Sequence, residues 1–168
     1  MDQQNEEMAP EAGGIINIDE TVSNLALADA VEPVRTPSGD FDLQVTGWKT
    51  GESSQKKTPF IQFGFSITGT RAIADGQQLE DNFNEDDLMG RPLTYDFYLT
   101  TKAVFMLKNF LDTLGFDMGT RTVGDLLTNR AFDEVIGAAV VGLIRPEHYT
   151  TKTGEAKIAH RLSDFAKV

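Results

Sequence analysis

A mainly β domain of five strands, with one helix between the third and fourth and a disordered acidic arm in front, is what three features of this sequence predict. Apolar residues recur at every second position in several stretches, most clearly where Ile61, Phe63, Phe65 and Ile67 alternate with Gln62, Gly64, Ser66 and Thr68. That is the period of a half-buried strand. At Thr100 the period changes to about 3.6, the period of a helix, before alternation returns. Charge is also divided unevenly. Residues 1–40 hold nine acids and one base, Arg35, so −8 of the net −11 lies there and −3 remains for the rest.

The 168 residues, 40% of them apolar, suffice for one core and a tail. The absence of cysteine excludes disulfides and thiolate metal sites and suits a reducing cytoplasm. No run of eighteen apolar residues occurs, and the acidic opening MDQQNEEMAPEAGG is unlike a secretory signal. A cytoplasmic location is expected.

Residues 1–39 carry no aromatic residue and contain Pro10, Gly13, Gly14, Pro33 and Pro37, so they read as the disordered arm, with residues 40–168 as the folded domain. Within the arm, Ile18 to Ala30 has the spacing of a short helix. Phe41, Leu43 and Val45 alternate with polar residues in a first strand that Gly47 bends before Trp48. Lys49 to Thr58, KTGESSQKKT, reads as a polar loop, followed by a second strand over Lys56 to Thr68. Gly69 to Met89 reads as a long acidic connection. Leu93, Tyr95 and Phe97 then mark a third strand.

Val104, Leu107, Phe110, Leu111 and Leu114 form one apolar helical stripe, opened by Thr100 or Thr101 and stopped at Gly115. Shorter helical pieces are expected over Thr122 to Leu127 and around Phe132 to Ile136. Ala138 to Ile144 is a fourth strand, Arg145 to Lys157 a loop with Thr150 to Glu155 as its turn, and Ile158, His160 and Leu162 a fifth strand with Phe165 packing its end. This order is that of the OB-fold, a five-stranded Greek-key barrel with its helix between strands three and four; an unrelated α+β sheet with the same element order is the alternative.

Catalysis finds no support. His148 and His160 show no HExxH spacing, neither phosphate-binding glycine pattern occurs, and the acidic run Glu80 to Asp87 lacks the calcium-loop pattern. A non-enzyme without cofactor or metal is expected.

What remains is surface chemistry. Oligonucleotides cross an OB barrel over strands two and three, between the loops joining strands one to two and four to five. Here those loops are the basic ones. The first carries Lys49, Lys56 and Lys57 and is flanked by Trp48 and Phe60; the second carries Arg145, His148, Tyr149, Lys152 and Lys157. Tyr98 lies on the non-core phase of the third strand, and the non-core face of the second strand is small and polar, open to something flat. Lysines that follow phosphates beside rings that stack on bases are what single-stranded nucleic acid requires. The ordinary alternatives are solvated turn lysines and, for Trp48, core packing beside Gly47.

Three stretches carry a family resemblance: SGDFDLQVTGWKTGESSQKKTPFIQFGFSITG, GRPLTYDFYLTTKAVFMLKNFLDTLGF and IGAAVVGLIRPEHYTTKTGEAKIAHRLSDF. Over Ser38 to Val168 the chain resembles small phage-encoded OB-fold single-stranded DNA-binding proteins found among replication and recombination genes. Gly39, Lys57, Gly90, Arg91, Gly115, Gly137 and Gly154 match the pattern, while the acidic arm and the acidic insert before Gly90 depart from it. The resemblance implies a protein that coats single-stranded DNA and adds Arg91 to the candidate contacts. The acidic arm would occupy the basic groove when DNA is absent, recruit phage or host replication and recombination proteins, or only aid solubility. A module that binds such an enzyme and never touches DNA is the alternative. Monomer and dimer both remain open.

Overall fold

The computed structural model describes residues 35–77, 79 and 81–168, all within the unit Val34–Val168. The expected helix over Ile18 to Ala30, and the arm up to residue 34, lie outside the described residues. Five antiparallel strands, β1 (Gly39–Glu52), β2 (Pro59–Ile73), β3 (Pro92–Tyr98), β4 (Ala139–Thr150) and β5 (Ala156–Ala166), form one sheet in the order β3-β2-β1-β4-β5. Helix α1 (Val104–Thr113) lies between β3 and β4, with the shorter α2 (Val123–Thr128) and a 3-10 turn, Ala131–Val135, after it.

Alternation sets which face is core. Phe41, Leu43 and Val45 of β1 and Ile61, Phe63, Phe65 and Ile67 of β2 are almost wholly buried, and Phe97, Val140, Ile144 and Leu162 join them from the other strands. The stripe of α1 closes this core through Leu107, Phe110 and Leu111. Phe110 stacks on Phe97 with centroids 4.9 Å apart and meets Phe63, Phe65 and Phe165 within 5.8 Å. From the last strand, Phe165 reaches Tyr95 and Phe97 of β3, at 5.4 and 5.9 Å. Rings therefore bring together the two strands that end the hydrogen-bonded order.

The turns follow from local chemistry. Thr100 accepts from the Ala103 amide through its hydroxyl, 3.2 Å, and from the Val104 amide through its carbonyl, 2.9 Å. The cap residue itself is Ala103, without a side-chain bond. Gly115 leaves α1 at φ 72°, as the sequence predicts. Thr122 and Asp125 form a reciprocal capping box at α2.

Strand lengths differ from the sequence reading. Lys49 to Glu52 belong to β1 and pair with Pro59 to Gln62, leaving only residues 53–58 as a turn. The second strand begins at Pro59 instead of Lys56, and it continues to Ile73, so the acidic connection begins five residues later than expected. Arg145 to Thr150 belong to β4 and pair with Ala156 to Arg161, so the expected loop is a two-stranded arm with a turn over 151–155. These segments satisfy their backbone groups in a ladder while burying little, so their polar composition reads as loop.

The acidic connection is anchored. Asn84 caps the 3-10 turn Glu85–Leu88, Leu88 is fully buried, and Gly90 donates to the Ile67 carbonyl at 2.8 Å. Gln77 clasps the domain's first residues, accepting from the Ser38 amide at 2.9 Å and donating to the Ser38 carbonyl at 2.7 Å. Next to this clasp, a Cβ on Gly39 would lie 2.2 Å from the Ala72 carbonyl oxygen across the strand pair. Backbone oxygen cannot move aside as a side chain can. Gly39→Ala is expected to cost roughly 1–3 kcal/mol in urea unfolding, and an unchanged midpoint would contradict this close approach.

Candidate nucleic-acid interface

The face of β1, β2 and β3 turned away from the core is ordered in cross-strand rows. One row is Gly51, Phe60 and Tyr98; the next is Lys49, Gln62 and Asp96; the third is Gly47, Gly64 and Thr94. Each follows from the two-residue period of β2, whose odd positions face the core and whose even positions face outward.

In the first row the rings of Phe60 and Tyr98 meet edge to face, 5.8 Å apart, with Tyr98 40% exposed. Phe60 lies across Gly51, where a Cβ would stand 2.6 Å from the ring's Cζ. A side chain at 51 would push the ring off the sheet, so the glycine lets it lie flat. In the second row the Gln62 Nε2 donates to Asp96 Oδ1 at 2.7 Å, and both residues are half-buried. Lys49 is exposed beside them. At the third, Gly64 keeps the surface low beside Thr46.

Lys56 and Lys57 are exposed in the β1–β2 turn. This turn is held by Ser53, whose carbonyl accepts from the Lys57 amide and whose hydroxyl accepts from the Thr58 amide, both at 3.0 Å. Lys57 sits at φ 51°, a left-handed conformation. Among the described residues Lys49, Lys56, Lys57 and Lys152 form no ion pair.

Other candidates are placed differently. Between Val45 and Gly47 the register slips by one, and the extra residue, Thr46, reverses the phase of β1. Trp48 is thereby carried to the core side opposite Phe63. Its indole N–H donates to Asp133 Oδ1 at 2.8 Å, its ring meets Phe132 edge-on at 5.5 Å, and Arg130 covers it at 5.4 Å. This is the core-side alternative that the sequence left open.

Arg145 is paired with Asp40 at 2.9 Å and also donates to the Gly39 carbonyl. Lys157 pairs with Glu155 at 3.4 Å. Arg91 donates to Thr36 Oγ1 at 3.0 Å and lies just before β3, at the opposite end of that strand from Tyr98. His148 and Tyr149 are exposed on the β4–β5 arm, opposite Ile158 and Lys157. The outward rows thus gather Lys49, Phe60 and Tyr98, with the turn lysines Lys56 and Lys57 at the end of the same hairpin. They do not gather Trp48 or Arg91. The arm's residues form a separate group with Lys152.

A cleft of about 1090 Å³, lined by Thr36, Phe83, Leu93, Tyr149, Lys157 and His160 among others, contains none of the outward-row residues. An extended strand that stacks its bases needs an open face instead of a cavity, so volume does not select this cleft. Gln62, Asp96, Gly51 and Gly64 are the site members that the sequence reading did not single out as contacts. Alternation already placed Gln62 and Asp96 outward, but only the register brings them together.

Asp133 shows one resolved electrostatic effect. Its hydrogen bond from Arg130, followed by that from the Trp48 indole, holds its carboxyl below the usual aspartate range. A group with a lowered folded pKa contributes stability that is present above its unfolded pKa and lost as pH falls through the folded one. Trp48 emission is therefore expected to stay constant as acid passes the ordinary aspartate value and to shift only below it. A midpoint at the ordinary value would contradict the assignment.

No helix among the described residues is long and apolar enough to cross a membrane. Among them, no three His, Asp or Glu side chains converge as metal ligands would. No protein-family model matches the chain, and no curated protein matches it.

Proposed function

We propose that the five-stranded sheet is a Greek-key barrel of the OB type and that the protein is a non-catalytic coat for single-stranded DNA, acting in phage replication or recombination in the cytoplasm of a bacterial host. Two features support the barrel. The observed order β3-β2-β1-β4-β5 becomes a closed circuit when β5 meets β3, and Phe165 bridges these strands. Helix α1, which lies between β3 and β4 in the chain, covers the core beside β3 and β5, consistent with the helix of that fold.

The observation that carries the function is the exposed ring pair Phe60–Tyr98 on a glycine-lowered sheet face, beside Lys49 and the Lys56–Lys57 turn. Rings supply stacking for every base, and the lysines supply phosphate contacts whose strength falls with salt. Binding is broad in sequence because neither element reads more than a π-face or a charge. The acidic arm, read from the sequence as residues 1–39 and described only from residue 35, would compete with phosphate for those lysines or recruit replication proteins.

The test is fluorescence anisotropy of the full chain with a labelled mixed-sequence single strand and with the matching duplex. Tight single-strand binding that weakens steeply as salt rises, with weaker duplex binding, supports the reading; no binding to the single strand at low salt overturns it. A protein-interaction module remains the second reading because α1 exposes Phe105 and Met106 beside a pocket of about 220 Å³ that Tyr95 and Phe165 also line. Loss of the DNA reading would favour it.

A further inference from the structure

The carboxylate in the middle row is the part of this face that a general single-strand binder does not need. Asp96 is half-buried on β3, directly beside Gln62 and one row from the Phe60–Tyr98 pair. A negative group there repels phosphate, which alone would argue against placing it on a DNA-binding surface. Toward a base edge the same group is useful.

Its bonding is directional. A carboxylate only accepts, so the Gln62 amide must turn its N–H₂ toward Asp96, and its Oε1 is thereby the free end of the amide. Among the described residues, Asp96 Oδ2 has no partner. The outward groups at the centre of the row are therefore acceptors on both sides, with Lys49 as the cation at the β1 end. Charges on the row are ordered, with the cation on β1 and the anion on β3. A single strand would thus run its phosphates along β1 and the lysine turn, and its bases over β2 and β3.

We infer, on the basis of the DNA-binding reading above, that Asp96, oriented by Gln62, is a specificity-determining residue that favours guanine over thymine among the bases laid on this face. The unpaired Watson–Crick edge of guanine offers two adjacent donors, N1–H and the N2 amine, which a carboxylate accepts together. Cytosine and adenine each offer one amine beside an acceptor. Thymine offers one N3–H between two carbonyl oxygens, both of which face the carboxylate unfavourably. The rings of the neighbouring row hold any base in place; Asp96 ranks them.

Titration of the full chain with a strand of alternating dT and dG, and with dT alone of equal length, tests this. The alternating strand is expected to bind at least about tenfold more tightly, the scale of one good bidentate base contact. Replacing dG by deoxyinosine, which lacks the N2 amine, should remove most of that gain. Asp96→Asn should bind dT as well as or better than the native protein while the two affinities converge to within about twofold, on the scale of that single contact. Gln62→Leu, which leaves the carboxylate but removes its clamp, should lower the preference by a smaller factor and provides the same readout if Asp96→Asn misfolds. Equal binding of the two strands by the native protein, or an unchanged preference in the variants, overturns the inference while leaving the DNA reading intact. Binding to neither strand defeats the DNA reading itself.

Discussion

Replacing Phe60 and Tyr98 together by alanine is expected to weaken single-strand binding by at least roughly 30-fold, because on the proposed reading each ring stacks on a base and each such stack contributes about 1–3 kcal/mol. The two rings touch, so the effects of the single variants will not add: removing one also removes support from the other. Phe60 also lies on Gly51, and a Gly51→Ala variant that tilts the ring should reproduce part of the Phe60→Ala loss. Tyr98 is 40% exposed and Phe60 half-buried, and neither belongs to the buried core, so the urea midpoint should move little in the double variant. Retained affinity in a folded double variant would show that these two rings are not a stacking platform.

The largest stability effect is expected at Phe110. This ring projects from α1 onto Phe97 of β3 and Phe63 and Phe65 of β2, and it contacts Phe165 of β5. It is buried and touches three strands, so truncation leaves a cavity where the helix meets the sheet. Phe110→Ala should cost about 3–5 kcal/mol, a large part of the roughly 5–15 kcal/mol that holds such a domain folded. Urea unfolding followed by Trp48 emission checks this, since Trp48 is also tied to Phe132 and Asp133. A loss below about 1 kcal/mol would mean that the helix does not seal the core.

How much of this was readable from the sequence depends on what each residue buries. The core strands were legible because Phe41, Leu43, Val45 and the set Ile61 to Ile67 bury every second side chain, and burial imposes the period. Helix α1 was legible for the same reason, and its end for Gly115. Hairpin lengths were not. Lys49 to Glu52 and Arg145 to Thr150 hydrogen-bond as strands while exposing polar side chains, so composition suggests loops where the ladders continue.

Trp48 illustrates a finer limit. Its facing depends on the single extra residue Thr46, and alternation cannot indicate whether a strand contains a bulge. The cations divide similarly. Asp40 neutralises Arg145 from a strand more than a hundred residues away in sequence, whereas Lys49, Lys56 and Lys57 have no such carboxylate in an ion pair among the described residues. Sequence alone shows both sets only as basic stretches. The middle row of the candidate site is a product of register, because nothing in the linear order brings Gln62 to Asp96.

On the proposed function, the outward face of β1, β2 and β3 receives the single strand. Amide chemical-shift mapping of the isotope-labelled full chain during titration with a short mixed-sequence single strand tests it most directly. The largest shifts are expected at Lys49, Gly51, Phe60, Gln62, Gly64, Asp96 and Tyr98, continuing into the turn at Lys56 and Lys57. Shifts confined to the cleft around Tyr149 and His160, or no shifts at all, would contradict it.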